Sequence, residues 1–348
     1  MSGIERESER ASEGGSERPT IEDVAREAGV SRQTVSNVVN APERVSDSTR
    51  TETEAAIERL GYRSNAIARN LRQRASRLIG YRVPAAQRGA IHPVLDGFLH
   101  ALTVAARAEG NSVLLFVPDE SADEATVHEE MLRTSAVDGL VLSDTRRDDA
   151  RIEFLARREL PFVCFGRSEL DPAHPWVDVD GAAGTAAAVE HLTARGHRRI
   201  AFLGSSNDFG FASDRRRGYE RGLEAAEIGI DAALAVGVAD DVEAAVASER
   251  LLAGENPPSA IVAATDALAL GAYRGVRAAG AEVGAGGVGV VGFDDTPMAA
   301  LVSPSLSSVH QPLDEAARVL VRLLAERIRG KSPDGVLLEP ELVVRESS

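Results

Sequence analysis

The 348-residue sequence holds one cysteine, one tryptophan and one lysine, and aromatic residues make up only 4% of it. A lone Cys164 excludes an internal disulfide and any multi-cysteine metal site. The seven histidines show no metal-ligand spacing. No apolar run approaches the roughly 20 residues needed to cross a bilayer. The opening segment, MSGIERESERASEGGSERPT, lacks the apolar centre of a secretory signal. A cytoplasmic location is therefore expected, with no membrane, no metal and no cofactor. What is present is balanced: 43% hydrophobic and 27% charged residues suit a globular chain rather than a disordered or fibrous one. The length exceeds the roughly 100–200 residues of a typical domain, so two or more folding units are expected.

The formal net charge is −15, which taken alone speaks against nucleic acid. Its distribution reverses that inference. Residues 1–77 carry thirteen arginines and thirteen carboxylates, so the entire excess lies in the remainder. Within residues 61–77 stand Arg63, Arg69, Arg72, Arg74 and Arg77 with no acid among them. A locally basic segment inside an acidic protein is the asymmetry of a nucleic-acid contact.

Residues 1–18 are Ser, Glu, Gly and Arg around a single Ile4, too little apolar surface to offset ordering entropy, and read as a disordered tail. Thr20-Ile21-Glu22-Asp23 fits a capping box at the start of a helix Ile21–Ala28. Gly29 suits a left-handed turn. Ser31 can cap a second helix to Asn40 that buries Val35, Val38 and Val39. Ser46 begins a third, presenting Ile57 and Leu60 and ending at Gly61. From Leu78 the texture changes. LIGYRV, SVLLFV, GLVLS, PFVCF, RIAFLG, AIVAA and VGVVGF alternate with helical stretches such as 96–109, 181–195, 214–227 and 266–279. Continuous apolar runs flanked by helices indicate parallel strands buried on both faces, an α/β domain. About 270 residues is generous for one open sheet, so two sheet subdomains around a cleft are expected.

The segment Val24–Ser36 has the layout of a helix-turn-helix: small Ala28 and Gly29 permit a tight turn, and Val24, Val30 and Val35 pack the two helices. Arg32, Gln33, Ser36 and Asn37 are left on the outer side of helix two. Arg, Gln and Asn can make paired hydrogen bonds to purine edges in the major groove. An ordinary helical hairpin with polar residues facing water has the same spacing, and spacing alone leaves both readings open.

TIEDVAREAGVSRQTVSNVVN, followed by VSDSTRTETEAAIERLGYRSNAIARNLRQRASRLIG, closely resembles the DNA-binding head and hinge of LacI-type regulators. The similarity continues through VDGLVLS, EHLTARGHRRIAFLG, DRRRGYERGL, ATDALALGAYRGVRAAG and VGVVGFDDTPMAALVSPSLSSVHQP, and so covers roughly residues 19–345. The resemblance implies a helix-turn-helix head at 19–61, a hinge at 62–77 and a periplasmic-binding-protein-like core of two parallel-sheet subdomains at 78–348. It implies that Arg32, Gln33 and Asn37 read bases, with Ser36 beside them. Thr20, Ser31, Thr34 and Ser46 would hold phosphates, which position the head without specifying sequence. Asn65–Gln73 would be a hinge helix that folds over the minor groove when two subunits meet, with Leu71 as the wedge between base pairs and Asn65 and Arg72 beside it. Ser64 stands where the family often has proline.

In the core the resemblance implies effector contacts from Val94, Leu95, Arg215, Thr265 and Asp294. A carboxylate that accepts and a guanidinium that donates suit vicinal hydroxyls. Locally, Asp266 and Asp294 also fit helix caps, and for Asp266 the cap is preferred. The chain departs from the family in having His92-Pro93-Val94-Leu95 at the first cleft loop, Ala239 where an aromatic is frequent, and Gly166 in place of a frequent aspartate; Trp176, Phe209 and Phe211 could supply replacement stacking or belong to the core. Gly284–Gly289 matches the dinucleotide fingerprint in letters, but a helix precedes it and a strand follows, the reverse of what that motif requires. No leucine heptad follows LEPELVVRE, so no tetramerisation helix is expected. No nucleophile, base or cofactor loop converges as an α/β enzyme would need, and no catalytic residue is assigned. A free solute-binding protein would have no use for the head. The expected protein is a homodimeric regulator, a repressor of carbohydrate genes that binds double-stranded operator DNA under the control of a small sugar.

Overall fold

The computed structural model describes residues 19–62, 75–83, 93–117, 124–134, 136–168, 173–206 and 210–348. They fall into two compact units, one ending at Ala75 and the other running Ser76–Ser348.

In the first unit, α1 (Ile21–Glu27), α2 (Arg32–Asn40) and α3 (Asp47–Leu60) are each set by a local signal in the sequence. Thr20 and Asp23 form the reciprocal capping box at the start of α1. Ser31 accepts from Thr34 N at 3.1 Å and so begins α2. Gly29 and Gly61 take left-handed φ of 66° and 62°, which close the turn into α2 and end α3. Each helix gives one fully buried side chain to the centre, Val24, Val35 and Ala56, with Ile21, Val30, Ile57, Leu60 and Tyr62 packed around them. A fully buried valine is worth roughly 1.5–3 kcal/mol, so this small core rests on few groups.

The second unit begins with β1 (Leu78–Arg82), α4 (Pro93–Ala108), β2 (Ser112–Phe116), α5 (Glu124–Arg133), β3 (Gly139–Leu142), α6 (Ala150–Arg157), β4 (Phe162–Phe165) and β5 (Trp176–Val179). There the chain crosses to a second lobe of α7 (Gly181–Ala194), β6 (Ile200–Ser205), α8 (Gly210–Ala225), β7 (Ala235–Val238), α9 (Asp241–Leu252), β8 (Ala260–Ala263), α10 (Asp266–Ala278), β9 (Gly289–Asp294), α11 (Pro297–Leu301) and β10 (Ser307–His310). α12 (Leu313–Ile328) and β11 (Val336–Leu338) return to the first lobe, and β12 (Glu341–Val343) ends in the second. The sheet orders are β11-β5-β4-β3-β1-β2 and β12-β10-β9-β8-β6-β7. Every pairing is parallel except that of β12 with β10.

All seven apolar runs form strands, and β3 and β8 are buried along their whole length. The strands outside those runs are β5 (WVDV), β7 (AVGV), β10 (SSVH), β11 (VLL) and β12 (ELV). In the stretch LEPELVVRE, β11 ends at Leu338 in one sheet and β12 begins at Glu341 in the other, with Glu339-Pro340 between them, because proline has no N–H to continue a ladder. Of the segment expected as a hinge, 62–77, the structure describes the two ends. Tyr62 packs on the head's core, and Asp138 accepts from Ser76 N at 2.6 Å and Arg77 N at 2.8 Å. The rest of that segment, residues 63–74 with Asn65, Leu71 and Arg72, lies outside the described residues, as does the tail 1–18.

Helix pairs in the second lobe approach closely at glycine. A Cβ on Gly275 of α10 would stand 2.3 Å from the Ala245 carbonyl oxygen of α9. Alanine there gains about 1 kcal/mol of helix propensity, but it meets rigid backbone. Gly275→Ala should therefore lower core stability by roughly 1–3 kcal/mol, the cost of overpacking. Urea unfolding followed by circular dichroism checks this, and a stabilised variant would show that α9 and α10 part freely.

Candidate nucleic-acid interface and ligand cleft

On the head, α2 turns Val35 and Val38 inward, which leaves Arg32 and Gln33 exposed and Ser36 and Asn37 half-buried on the other side. Gln33 Nε2 donates to Asn37 Oδ1 at 3.0 Å, so two amides one turn apart form a single edge of donors and acceptors. Arg32 pairs with Glu22 at 2.8 Å with both side chains more than half exposed, a contact worth under about 1 kcal/mol that a stronger partner can displace. The hydroxyl residues stand at helix starts: Thr20 before α1, Ser31 and Thr34 at α2, and Ser46 before α3. Helix starts favour anions. Thr20 is also occupied locally, since its hydroxyl donates to Asp23 at 2.7 Å. Those hydrogen bonds hold the Asp23 carboxyl below the usual range, with Arg26 adding to them.

In the core, the carboxyl ends of the strands from both lobes converge on a cavity of about 180 Å³. Such ends are where open α/β sheets gather polar ligand contacts. Ser143, Asp144 and Thr145 follow β3, Gly166 follows β4, and Asp178 lies on β5. The second lobe supplies Thr265, Asp294 and, from the start of α8, Phe211, Asp214 and Arg215. Arg215 is 6% exposed. Its Nη2 reaches Asp294 Oδ1 at 3.3 Å, its Nη1 donates to the Ala264 carbonyl, and its guanidinium lies over the Phe293 ring at 3.6 Å. Gln311, on the connection into α12, donates to Asp294 Oδ1 at 2.7 Å.

The expected effector residues separate here. Val94, Arg215, Thr265 and Asp294 line the cavity. Leu95 is not among the lining residues; it faces the other way along α4 and packs on the first lobe's apolar core. Thr265 is itself the cap of α10, accepting from Leu268 N at 3.2 Å. Asp266 is not that cap. It is a buried hub that accepts from Thr296 N at 2.7 Å and Ser308 Oγ at 2.6 Å. Of the aromatics, Phe211 lines the cavity, Trp176 packs against Gly335, and Phe209 lies outside the described residues. Ala239 is exposed and does not line it. At Gly166, with φ 104°, a Cβ would come within 2.3 Å of Thr145 Oγ1, so Thr145 occupies the space an aspartate would need.

Sequence reasoning missed Asp144, Phe165, Asp178, Asp214 and Gln311. Asp214 adjoins Arg215 in SDRRRGY, and Asp178 ends a strand with no apolar run to announce it. Asp178 and Asp214 meet through Arg167, whose Nε donates to Asp178 at 2.9 Å and whose Nη2 pairs with Asp214 across the lobes. Arg147 donates to Ser213 Oγ at 3.2 Å, and Gly210 N to the Thr145 carbonyl at 3.0 Å, along the same seam. Among the described residues there is no cluster that could hold a metal ion, and no helix is long and apolar enough to cross a membrane. Cys164 is buried, and burial raises its thiol well above the ordinary value.

A helix-turn-helix head carried in one chain with a two-lobed, cleft-bearing α/β core defines a transcriptional regulator of the periplasmic-binding-protein-like class. Residues 20–65 match the model for bacterial regulatory proteins of the lacI family, and residues 189–348 match the periplasmic binding protein-like domain. The HTH-type transcriptional regulator CelR of Thermobifida fusca is 34% identical over 339 residues, which span 95% of this chain and 98% of that protein. A solved complex of the regulator CelR with cellobiose superposes with a TM-score of 0.71 at 32% identity, covering 95% of this chain and all of that one. The Lac repressor dimer bound to operator and the anti-inducer ONPF gives a TM-score of 0.81 at 29% identity over 95% of this chain and 99% of that one. The chain belongs to the LacI family of transcriptional regulators. It is a DNA-binding regulator, not an enzyme.

Burial lifts the Asp294 carboxyl to about 7; Arg215 opposes the rise and Asp266 adds to it. Burial likewise raises Asp178 against the pull of Arg167, and Asp266 against its bonds from Ser308 and Thr296. A carboxyl that titrates higher in the folded chain than in the unfolded one holds its proton longer when folded. Its stabilising contribution is complete below the unfolded value and is lost as pH rises through the folded one. These three carboxyls should thus make core stability decline between about pH 4 and about pH 7, and Asp294→Asn should remove the largest part of that decline, while His191 and His197, whose values burial lowers, act in the opposite direction in both proteins. Denaturation midpoints measured across this range test it, and equal slopes in the two proteins would place the titration elsewhere.

Proposed function

We propose that this regulator binds a palindromic operator as a homodimer, represses genes of carbohydrate use in the cytoplasm, and is controlled by a small sugar in the cleft. The observation that carries the reading is Arg215. Its Nε is buried at the cavity wall without a hydrogen-bond partner among the described residues, while Asp294 and two aromatic rings hold the guanidinium in place. A buried, unpartnered donor of this kind is expensive unless a ligand oxygen meets it. The relative solved with cellobiose and the Lac repressor solved on operator support the sugar and the DNA in turn. Exposed aliphatic side chains at Val104, Leu115 and Val117, and at Val242 and Val246 one turn apart on α9, give a second subunit apolar surface to cover.

On the operator, Arg32, Gln33 and Asn37 read base edges with Ser36 beside them, while Ser31, Thr34 and Ser46 hold phosphates with Thr20. Leu71 is the wedge, flanked by Asn65 and Arg72. In the cleft, Arg215 and Asp294 clamp hydroxyls, with Val94 and Phe211 against the ring.

The test begins with selection of bound sequences from random duplexes, followed by titration of sugars against the selected site, cellobiose first. Gln33→Ala should cost roughly 1–3 kcal/mol on that site and relax preference at one position per half-site. Equal weakening on every sequence would make Gln33 a phosphate contact. Arg215→Ala should abolish the sugar response and leave operator affinity without sugar within a few fold, because the cleft acts on the head only through a conformational equilibrium. A retained response would remove Arg215 from the site, and a monomeric sedimentation coefficient would remove the dimer.

A further inference from the structure

If the cleft is a sugar site, its charges decide which sugars enter. Among the described residues, four lining carboxyls, those of Asp144, Asp178, Asp214 and Asp294, accompany one lining guanidinium. That guanidinium is already engaged by Asp294 and the Ala264 carbonyl and stacked between Phe293 and Phe211. Two further arginines beside these carboxyls are committed to them. Arg167 lies between Asp178 and Asp214, and Arg217 donates to the other oxygen of Asp214 at 2.6 Å.

At each helix start that borders the cavity, one of the first-turn N–H groups is already taken. Asp180 accepts from Ala183 N of α7 at 2.9 Å, Thr265 caps α10, and the first N–H of α8 goes to the Thr145 carbonyl. A phosphate group brings between one and two negative charges and is held by several convergent donors, usually arginine forks. To bind here it would have to draw a guanidinium from its carboxylate, leaving a buried charge unpaired. Hydroxyls have no such difficulty. They donate to lone pairs that the carboxylates still have and accept from Arg215 Nε, while ring C–H faces lie on Phe165 and Phe211.

We propose that the effector is an uncharged, unphosphorylated saccharide, and that the phosphorylated form of the same sugar is excluded. The inference rests on the sugar reading of the cleft. Calorimetric titration of the full chain with glucose, cellobiose, glucose 6-phosphate and 6-phosphorylated cellobiose tests it. A neutral sugar should bind at least 100-fold more tightly than its phosphorylated partner. Asp178→Asn, which releases one of the two carboxylates on Arg167, should narrow that gap at least tenfold. Asp214→Asn releases the other and serves if the first variant does not fold. Phosphorylated sugar bound as tightly as neutral overturns the inference and leaves the sugar site standing. A gap unmoved in both variants overturns its electrostatic basis. Heat from none of the four sugars, with operator binding intact, overturns the sugar reading and this inference with it.

Discussion

The buried pair of Arg215 and Asp294 is the constraint around which the core is arranged. Two charged groups withdrawn from water lose several kcal/mol of solvation each, and mutual attraction repays this only when the remaining polar atoms are satisfied. Here they nearly are. Asp294 takes Gln311 as well as Arg215, and the aromatic rings of Phe293 and Phe211 cover the guanidinium. Asp294 also holds φ at 114° and Asp295 at 49°, conformations that cost a non-glycine residue roughly 1–3 kcal/mol each. Such a backbone persists where its neighbours over-determine it. Asp266 does this from behind, tying Thr296 of the following turn to Ser308 of β10. A pair held at this expense is poorly suited to stability alone, and it leaves Arg215 Nε buried without a hydrogen-bond partner among the described residues.

The pair lies within the second lobe, whereas the cavity needs both. The chain passes between the lobes three times, after β5, after β10 and between β11 and β12. Gln311 sits on the second passage, so the residue that completes Asp294 is also part of a connection between the lobes. Across the mouth, Arg167 with Asp214, Arg147 with Ser213 and Thr145 with Gly210 join the lobes through polar contacts alone. Partly exposed polar contacts are individually weak. A seam of that kind can part and re-form, and a ligand biases it only by its differential affinity for the open and closed forms.

The sequence was most legible where a single side chain carries the signal. Thr20 and Ser31 announce the helices they cap, Gly29 and Gly61 announce their ends, and the apolar runs announce the central strands. The strands next to the edges were harder. β5 and β10 carry Asp178 and two buried serines, polar residues whose side chains take partners that no local pattern announces: Arg167 for Asp178, Asp266 for Ser308, and Arg345 N and Ser348 for Ser307. The cleft shows the same division. Arg215 and Asp294 stood in segments shared with a known family, and so did Asp214 and Gln311, whose place in the wall shows only in the folded chain; Asp144 and Asp178 lie outside those segments and join the wall only when the strand ends meet. Leu95 failed for a helical reason: its neighbour Val94 and it point a hundred degrees apart, so one reaches the cleft and the other the core.

The partition of charge then bears on how such a chain tells its site from other DNA. All of the −15 belongs to residues beyond 77, and residues 1–77 are neutral only as a whole, because the five arginines of the acid-free run 61–77 offset an acidic excess in the segments before it. Non-specific binding is almost wholly the attraction between phosphates and basic side chains, and in this chain the basic excess is confined to that short run. The groups that α2 and the helix starts present are directional: paired amides at Gln33 and Asn37, an arginine lightly held by Glu22, and hydroxyls. Directional contacts are lost when the base or the register is wrong, whereas diffuse charge is not. Specificity is a ratio of two affinities, and a chain can raise it by lowering the non-specific one. An acidic core repels any duplex alike, whatever its sequence, so it bears on discrimination only through the non-specific affinity that it lowers.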